Sequence, residues 1–567
     1  MHVVTNRRQG KGREYVTHLL RRSYREGGKV KKETLANLSH LPDELIELIR
    51  RSLRGERFLA AAEAFEVERS LPHGQVACVL AMARRLELAR LLERAPSRQR
   101  ERALAMICQR VLEPGSKLAC TRQLAQSTLA EELGVEGADA DDLYAALDWL
   151  SERQRRVEER LARRHLEQGE LVLYDVSSSY FEGRTCPLAR RGYSRDRRRG
   201  SLQIVYGLVC DREGRPIAVE VFEGSLHDDK TLPAQVEKLR ERFRLTKVVL
   251  CLDRGMVTEA NLEALRSEGI AWISALKAPQ VKRLARQQVV QPSLFDELNL
   301  AEVTAQDYPG ERLLVCRNPL VAAERRRRRE ELLAATEREL FPIKRRVERG
   351  TLRGKAEIGL AVGAVCNRYK VKKHFLFEMD DERFDYRRNQ ARIEEEAALD
   401  GIYVLRTSVP GEELAGADVV RSYKQLAEVE RAFRTLKSID LEIRPINHRR
   451  EQRVRAHVFL CMLAYYLEWH LRRAWAELTF EDEQPPLASD PVAKAERSPE
   501  AKRKARQKKT AAGQPCHSFP TLLSELALIA RTTNRITGTD ASFLKVAKPN
   551  PVQRRALELV GLDPERL

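Results

Sequence analysis

The sequence predicts an α/β protein in which an N-terminal, mainly helical domain precedes a mixed sheet that a β-rich insertion interrupts. Two observations predict this. Apolar residues recur at helical spacing from about 41 to 168, and short apolar runs typical of buried strands alternate with helical segments from 169 onward. With 567 residues, 43% of them hydrophobic, the chain is long and apolar enough for about two to four domains with a sizeable core.

The charge balance restricts the partners. Lys and Arg outnumber Asp and Glu by 102 to 83, a formal net charge of +19. Such an excess favours nucleic acid, because bound Lys and Arg displace condensed counterions; a basic, well-solvated surface is the alternative. The apolar run 458–467 is too short to cross a membrane, and residues 1–8 lack an export signal, so we expect no membrane contact. The ten cysteines lack Cys-x2-Cys spacing and are expected to be reduced core thiols.

The first 168 residues are predicted to begin with a hairpin and to continue as helices. In the N-terminal hairpin segment, 1–40, strand-like runs at 14–20 and 29–35 flank the turn Gly27-Gly28. Segment 41–168 is expected to be a packed helical bundle, with binding of DNA ends as the alternative. Its helical periodicity covers 71–94, 100–112 and 141–166, with a break at Pro114-Gly115.

The elements predicted for 169–279 occur in the order of a ribonuclease-H-like sheet. Three strand-like runs, the last two joined by a turn at 211–216, predict an antiparallel meander. A helix, a strand, a second helix and a last strand then follow. The strands are placed at 170–176, 201–210, 217–222, 247–253 and 271–276, and the helices at 232–243 and 258–268.

Residues 280–400 are predicted to be an insertion into that core. Strand-like runs at 313–316, 356–366 and 374–379 make it β-rich. A charged helical stretch at 323–340 contains five consecutive arginines, 325–329, which indicate a solvated helix face or, alternatively, phosphate contact.

The rest of the chain is predicted in three parts. The core resumes over 401–478 with a strand at 401–407 and a catalytic helix. Residues 479–516 are a basic low-complexity linker, expected to be disordered and available for non-specific DNA contact. Residues 517–567 are predicted to be a C-terminal helical tail.

Two aspartates follow apolar strand-like runs. Asp175 comes after 171–174, and Asp253 comes after 248–252. An aspartate at a strand end projects into the crevice at the sheet edge, and two such carboxylates offer the oxygen ligands that hard divalent cations prefer. Each aspartate alone is better explained by a turn or a helix cap. Together, in a basic chain with this strand order, they favour a metal site.

A third acid lies on the helix predicted over 421–437. Its apolar stripe consists of Leu426, Val429, Phe433 and Leu436. The adjoining stripe consists of Tyr423, Glu430, Arg434 and Lys437. If the apolar stripe packs on the sheet, Glu430 reaches a metal while Tyr423 and Lys437 reach a phosphate strand. The alternative is a solvated helix on which Glu430 pairs with Arg434.

These residues resemble those of bacterial insertion-sequence transposases of the DDE class, in the group whose last acid lies in a Tyr-(2)-Arg-(3)-Glu-(6)-Lys signature. The resemblance extends over about 14–475. The segments that carry it are 23–30, 142–150, 174–183, 192–196, 252–256, 423–437 and 446–460. One departure stands out, because Leu426 occupies the position of the signature arginine. No role of that arginine is therefore carried over.

The resemblance implies a transposase that cleaves the ends of an insertion sequence and joins them to target DNA. Asp175, Asp253 and Glu430 would be its catalytic acids and would ligate two Mg2+ ions, which Mn2+ could replace, with Asp175 bridging both. Its DNA-binding residues would be Tyr423, Lys437, Arg434 and Arg254. The implied partners are double-stranded DNA, as element ends and as target, and a second copy of the chain in a synaptic homodimer. The insertion would contact DNA ends, and the protein would act in the bacterial cytoplasm, associated with the nucleoid.

Two other functions fit the same residues. The first is a ribonuclease-H-like DNA nuclease or resolvase that cuts without joining, which a strand-transfer assay with pre-cleaved ends distinguishes. The second is a non-catalytic DNA-binding derivative of a transposase, which metal-independent function would favour.

Overall fold

The computed structural model describes residues 1–10, 13–56, 58, 64–196, 198, 200–295, 299–437 and 440–567. In chain order, its helices are α1 (Asp43–Leu53), α2 (Gly74–Arg85), α3 (Leu88–Leu92), α4 (Arg98–Leu112), α5 (Lys117–Leu124), α6 (Leu129–Leu133), α7 (Ala140–His165), α8 (Leu232–Glu237), α9 (Glu259–Ser267), α10 (Ala278–Arg286), α11 (Pro319–Glu348), α12 (Lys355–Tyr369), α13 (Gln390–Ala397), α14 (Gly416–Lys424), α15 (Leu426–Lys437), α16 (Glu451–Ala474), α17 (Pro499–Gln507), α18 (Phe519–Ala527) and α19 (Pro551–Leu559).

Its strands are β1 (His2–Gly10), β2 (Arg13–Glu26), β3 (Lys29–Asn37), β4 (Phe65–Pro72), β5 (Leu171–Tyr180), β6 (Arg190–Arg191), β7 (Leu202–Cys210), β8 (Pro216–Glu223), β9 (Val249–Leu252), β10 (Ala271–Ala275), β11 (Leu300–Val303), β12 (Arg312–Arg317), β13 (Phe375–Met379), β14 (Phe384–Arg388), β15 (Ile402–Thr407), β16 (Ala530–Ile536) and β17 (Ser542–Val546). The chain divides into two compact units, one of 1–70 with 531–547 and one of 71–530 with 548–567.

The smaller unit begins with an antiparallel sheet of β1, β2 and β3. The predicted hairpin is confirmed, with Arg25 opposite Val30 beside the turn. Gly27 and Gly28 have φ of +58° and +79°, which a two-residue hairpin turn requires and which glycine adopts without strain. The hairpin prediction missed β1, which pairs along β2 from His2 to Gly10.

A second small sheet of this unit joins distant parts of the sequence. Its strand order is β17-β16-β4, and Arg535 on β16 forms ion pairs with Glu66 and Glu68 on β4 at 3.0 and 3.2 Å. Two predictions are therefore wrong in part. The segment 41–168, predicted to be helical, contains strand β4, and the predicted helical tail 517–567 contains strands β16 and β17. In β4, Phe65, Val67 and Leu71 fall on alternate residues, which is a strand period.

The larger unit contains the predicted helical bundle. Helices α2, α4, α7 and α16 pack on one another, and α7 and α16 also pack on β8. Asp139 caps α7 by accepting a hydrogen bond from the Asp142 amide at 2.8 Å. The predicted break is confirmed, since α4 ends at Leu112, before Pro114-Gly115. In the described part of the chain, no helix is both long and apolar enough to span a membrane.

The central sheet has the order β11-β12-β15-β10-β9-β5-β7, and both β6 and β8 pair with β7. Strands β5, β7 and β8 form an antiparallel meander, and β9 and β10 continue parallel to β5 on its other side. This is the ribonuclease-H-like topology, so the predicted fold class is confirmed. The strand expected at 401–407 is β15, which extends the same sheet antiparallel to β10.

The insertion is mainly helical, so the expectation that it is β-rich is wrong. The predicted strand at 356–366 is part of α12, which packs on the long helix α11. Its buried residues Ile358, Val362 and Val365 are three or four positions apart, which is a helical period hidden in a continuous apolar run. Strand β12, predicted at 313–316, belongs to the central sheet, and β13 with β14 forms a separate hairpin.

Residues 479–516 are folded against the larger unit, so the disorder expected there is wrong. Helix α17 begins after Ser498, whose hydroxyl donates to Asp482 at 2.7 Å. Lys504 is buried, and its ammonium donates to the Ala476 and Glu481 carbonyls, each at 2.8 Å. A basic composition predicts exposure, but here the ammonium of a buried lysine is satisfied by these carbonyls and by the Glu483 carboxylate at 3.0 Å.

Candidate active site

Strand register places Asp175 next to Asp253. β5 and β9 run parallel with Tyr174 opposite Leu252, so the residue that follows each is a neighbour of the other across strands about 4.8 Å apart. Asp253 directly follows β9, as predicted. Asp175 is not at a strand end, because β5 continues to Tyr180 in pairing with β7. Its carboxylate therefore projects from the middle of the central strand.

Tyr174 and Gly207 fix β5 against β7 beside Asp175. Tyr174 is fully buried, and its ring covers Gly207 on the neighbouring strand. A Cβ at Gly207 would lie 2.3 Å from the Tyr174 hydroxyl, so no larger residue fits without moving the ring. The backbone that carries Asp175 is held by packing rather than by a flexible loop.

Glu430 lies on α15, near enough for its charge to raise the pKa of Asp175. The predicted apolar stripe is buried, and Phe433 packs edge-on against Tyr206 of β7 with ring centroids 5.7 Å apart. α15 itself packs on β5. Glu430 is exposed on the adjoining face and makes no hydrogen bond or ion pair among the described residues. The alternative Glu430–Arg434 pair is thus not formed in the part of the chain that the structure describes.

The predicted helix over 421–437 is two helices. α14 ends at Lys424 and α15 begins at Leu426, with a tight turn at Gln425, whose amide donates to the Arg421 and Ser422 carbonyls. α14 packs on β9 and β10, whereas α15 packs on β5. Because the sheet twists between those strands, one straight helix would not keep both apolar faces buried.

Asp253 and Glu430 act electrostatically on Asp175. Burial raises the pKa of Asp175 to about 7, and the charges of Asp253 and Glu430 also raise it. The Val176 amide, which donates to Asp175 at 2.7 Å, and the guanidinium of Arg195 oppose this rise in the pKa. Asp175 is therefore the carboxyl group that most needs a nearby cation to stay ionised at neutral pH.

The predicted DNA-binding residues are distributed around these acids. Tyr423, at the end of α14, is partly buried, and its pKa is raised by burial and then by the charge of Asp253. Arg254 and Arg434 are exposed and have no ion-pair partner among the described residues. Lys437 is mostly buried and donates to Asp196 at 3.1 Å, an ion pair that the sequence did not predict.

Two further groups at the site were missed as functional residues. Asp228 lies beside Asp253, since its Oδ2 is 3.7 Å and the Asp253 Oδ2 is 3.3 Å from the position of a Cβ on Gly255. Arg195 forms an ion pair with Asp228. The position of Asp228 shortly after β8 resembles that of Asp253 after β9, and that similarity was a signal in the sequence. For Arg195 the only signal in the sequence was its position in 192–196, one of the segments that carry the family resemblance.

The donor set fits a hard divalent cation. Carboxylate oxygens are the ligands that Mg2+ and Mn2+ prefer, and Asp175, whose pKa is raised first by burial and then by the charges of Asp253 and Glu430, is one of them. Within the described ranges, no group of three His, Cys, Asp or Glu side chains is arranged to hold a single ion.

The fold is that of a ribonuclease-H-like protein, and comparison with known families identifies the class of enzyme. The family model for the transposase DDE domain matches residues 168–467, more than half of the chain, so the chain belongs to this family. The model for the N-terminal domain of IS1634 family transposases matches residues 1–64. The protein is therefore a DNA transposase of the metal-dependent DDE type, which cleaves and joins DNA strands, as its sequence signature predicts.

Solved transposase structures show distant similarity. The cryo-EM structure of the piggyBac transposase synaptic complex with hairpin DNA is 9% identical, with a TM-score of 0.34, over 80% of this chain and 76% of that chain. The crystal structure of the Mos1 strand transfer complex is 11% identical, with a TM-score of 0.14, over 44% of this chain and 73% of that chain. No curated protein sequence matches significantly.

Proposed function

We propose that Asp175, Asp253 and Glu430 are the catalytic acids of this transposase and hold two Mg2+ ions, for which Mn2+ can substitute. The observation that carries the proposal is the parallel register of β5 and β9, which brings two aspartates together, with Glu430 close enough to raise the pKa of Asp175. We assign Asp253 to one ion, Glu430 to the other and Asp175 to both.

The reaction consists of two displacements at phosphorus. In the first, a water oxygen attacks at the element end, the bond to the 3′ oxygen breaks, and that oxygen leaves as a hydroxyl. In the second, this 3′ hydroxyl loses its proton, attacks a phosphodiester of target DNA and displaces the 3′ oxygen of the target strand. When bound, the metal ions supply Lewis-acid stabilisation of the attacking and leaving oxygens.

The remaining assignments concern DNA. We propose that Tyr423, Arg254, Arg434 and Lys437 contact the phosphate backbone and thereby position it without reading bases. We also propose a homodimer in the synaptic complex, because two element ends must be held together. We also propose that the protein acts on nucleoid DNA in the bacterial cytoplasm, because its substrate is DNA.

Acid substitutions test the proposal. We expect Asp253→Asn and Glu430→Gln each to reduce cleavage of an element-end duplex in Mg2+ by about a thousandfold, because each removes a ligand from an ion that stabilises the transition state by several kcal/mol. Fluorescence anisotropy should show DNA binding within a factor of about two of wild type, since most of that affinity comes from phosphate contacts elsewhere.

A matched control lies on the same helix. Glu428→Gln removes a carboxylate two residues before Glu430 that pairs with Arg431 at 3.3 Å, and it should cleave like wild type. Pre-cleaved ends measure strand transfer separately and distinguish a transposase from a nuclease that does not join. Wild-type cleavage by Asp253→Asn would contradict the assignment.

A further inference from the structure

We infer that Arg195 binds the scissile phosphate of the DNA and that Asp228 holds its guanidinium in position. The inference rests on the proposed catalytic centre and adds a cationic residue to it. Arg195 would be a substrate-binding residue, and Asp228 a positioning residue.

The first support is the location of the ion pair. The Arg195 Nη2 donates to Asp228 Oδ2, and that oxygen borders the same small volume next to Gly255 as the Asp253 Oδ2. The Arg195 side chain retains 24% of its exposure, so it is partly accessible to solvent. A guanidinium that is bound to one carboxylate of the site and lies near another can donate charged hydrogen bonds to a phosphate held there.

The second support is the rigidity of the segment that carries Arg195. Its amide donates to the Ser178 hydroxyl at 3.1 Å, three residues beyond Asp175 on β5. The next residue, Asp196, accepts from the Tyr180 amide at 3.0 Å and from Lys437 at 3.1 Å. The loop is therefore attached to the strand that carries Asp175, which fixes the guanidinium relative to the acids.

The third support is electrostatic. Burial dominates the raised pKa of Asp175, and Arg195 is the cation that acts against it. The same guanidinium contributes to lowering the pKa of Lys437, after the larger effect of burial. The charge of Arg195 thus acts on the central acid and on the signature lysine together.

The fourth support is its spare hydrogen-bonding capacity. A guanidinium has five N–H donors in a planar fork that matches phosphate, and in the described part of the chain only one nitrogen of the Arg195 guanidinium is hydrogen-bonded. The position of the signature arginine cannot supply a guanidinium here, because it is occupied by Leu426, which is buried in the apolar stripe. The negative charge on the phosphoryl oxygens grows in the transition state, so a guanidinium fixed there would favour reaction as well as binding.

Binding to a neutralised phosphate tests the inference without metal. The probe is an element-end duplex carrying either the normal diester or an uncharged methylphosphonate at the scissile position, measured by anisotropy in EDTA. We expect wild type to bind the methylphosphonate duplex about tenfold more weakly, because a charged hydrogen bond is lost. Arg195→Ala should bind the two duplexes within about twofold, and Asp228→Asn should give an intermediate ratio.

The controls separate a phosphate contact from a structural role. Arg163→Ala removes an exposed arginine of α7 that pairs with Glu159, and it should keep the wild-type ratio. If Arg195→Ala does not fold, as judged by tryptophan fluorescence, Arg195→Gln and Asp228→Asn carry the test. The inference is overturned if the Arg195 variants bind the methylphosphonate duplex tenfold more weakly than the normal duplex. It is also overturned if wild type binds the two duplexes equally. Neither result affects the acid assignment, which depends on cleavage by the Asp253 and Glu430 variants.

Discussion

Replacing Asp175 with asparagine should stabilise the metal-free protein while abolishing its activity. Burial and the neighbouring acids raise the pKa of Asp175 from 3.8 to about 7, so its ionised form is disfavoured in the folded protein. The difference corresponds to roughly 4 kcal/mol once the carboxyl group is fully ionised. Because solvent around this partly exposed group reduces the penalty, we expect asparagine to gain about 2 to 4 kcal/mol at pH 8.5.

The sign of the pH dependence follows from the higher pKa in the folded state. Well below pH 3.8, Asp175 is protonated in both the folded and the unfolded chain, and the substitution changes the free energy of unfolding little. Between about pH 4 and pH 7 the unfolded chain loses the proton first, so wild type becomes progressively less stable than Asp175→Asn. Above pH 7 the difference between the two proteins should be constant.

Urea unfolding in EDTA from pH 4 to 9, followed by tryptophan fluorescence, measures the effect. The four tryptophans, at 149, 272, 469 and 475, all belong to the larger unit that contains Asp175. Adding Mg2+ should stabilise wild type and leave Asp175→Asn unchanged. Asp141→Asn, at an exposed aspartate of α7, is the control and should show no step near neutral pH. If Asp175→Asn raises the free energy of unfolding by the same amount at pH 4.5 and at pH 8.5, the reasoning is refuted.

Other predictions concern the core. Leu426→Arg restores the signature residue but places a charge at a buried position, so the free energy of unfolding should fall by about 3 kcal/mol or more without any rise in strand-transfer rate. Glu311→Ala leaves the buried Arg406 without its carboxylate and should cost about 3 to 5 kcal/mol in urea unfolding; an unchanged midpoint would contradict the role of the pair. Among the ten cysteines Cys516 is the partly exposed one, so a thiol reagent should modify about one thiol quickly in the native protein and all ten in urea.

The central sheet was predictable because each core strand is a continuous apolar run and the connecting helices have a clear period. Asp253 could be placed for the same reason, since it directly follows such a run. The position of Asp175 inside β5 could not, because the polar residues Ser177–Ser179 conceal the second half of a strand that tertiary pairing completes. Similarly, the apolar run at 356–366 fits a strand or a buried helix equally well, and only packing on α11 decides between them.

Contacts between distant residues account for what the sequence could not predict at the site. Arg195 lies in the loop between β6 and β7 and Asp228 follows β8, and only the tertiary fold brings the two residues together as an ion pair. Neither residue is exceptional in its own segment. The turn at Gln425 has a similar origin, since the twist of the sheet, rather than a helix-breaking residue, divides α14 from α15.

The pairing of β4 with β16 has a consequence for biosynthesis. Strand β4 leaves the ribosome early, and its partner is translated only after nearly all of the larger unit. At roughly 5 to 20 residues per second, the exposed edge of β4 waits on the order of half a minute before it can pair. A message truncated within the last part of the gene would therefore produce a chain with intact catalytic acids but an incomplete small sheet, and such a product would test whether that sheet is needed for action on DNA.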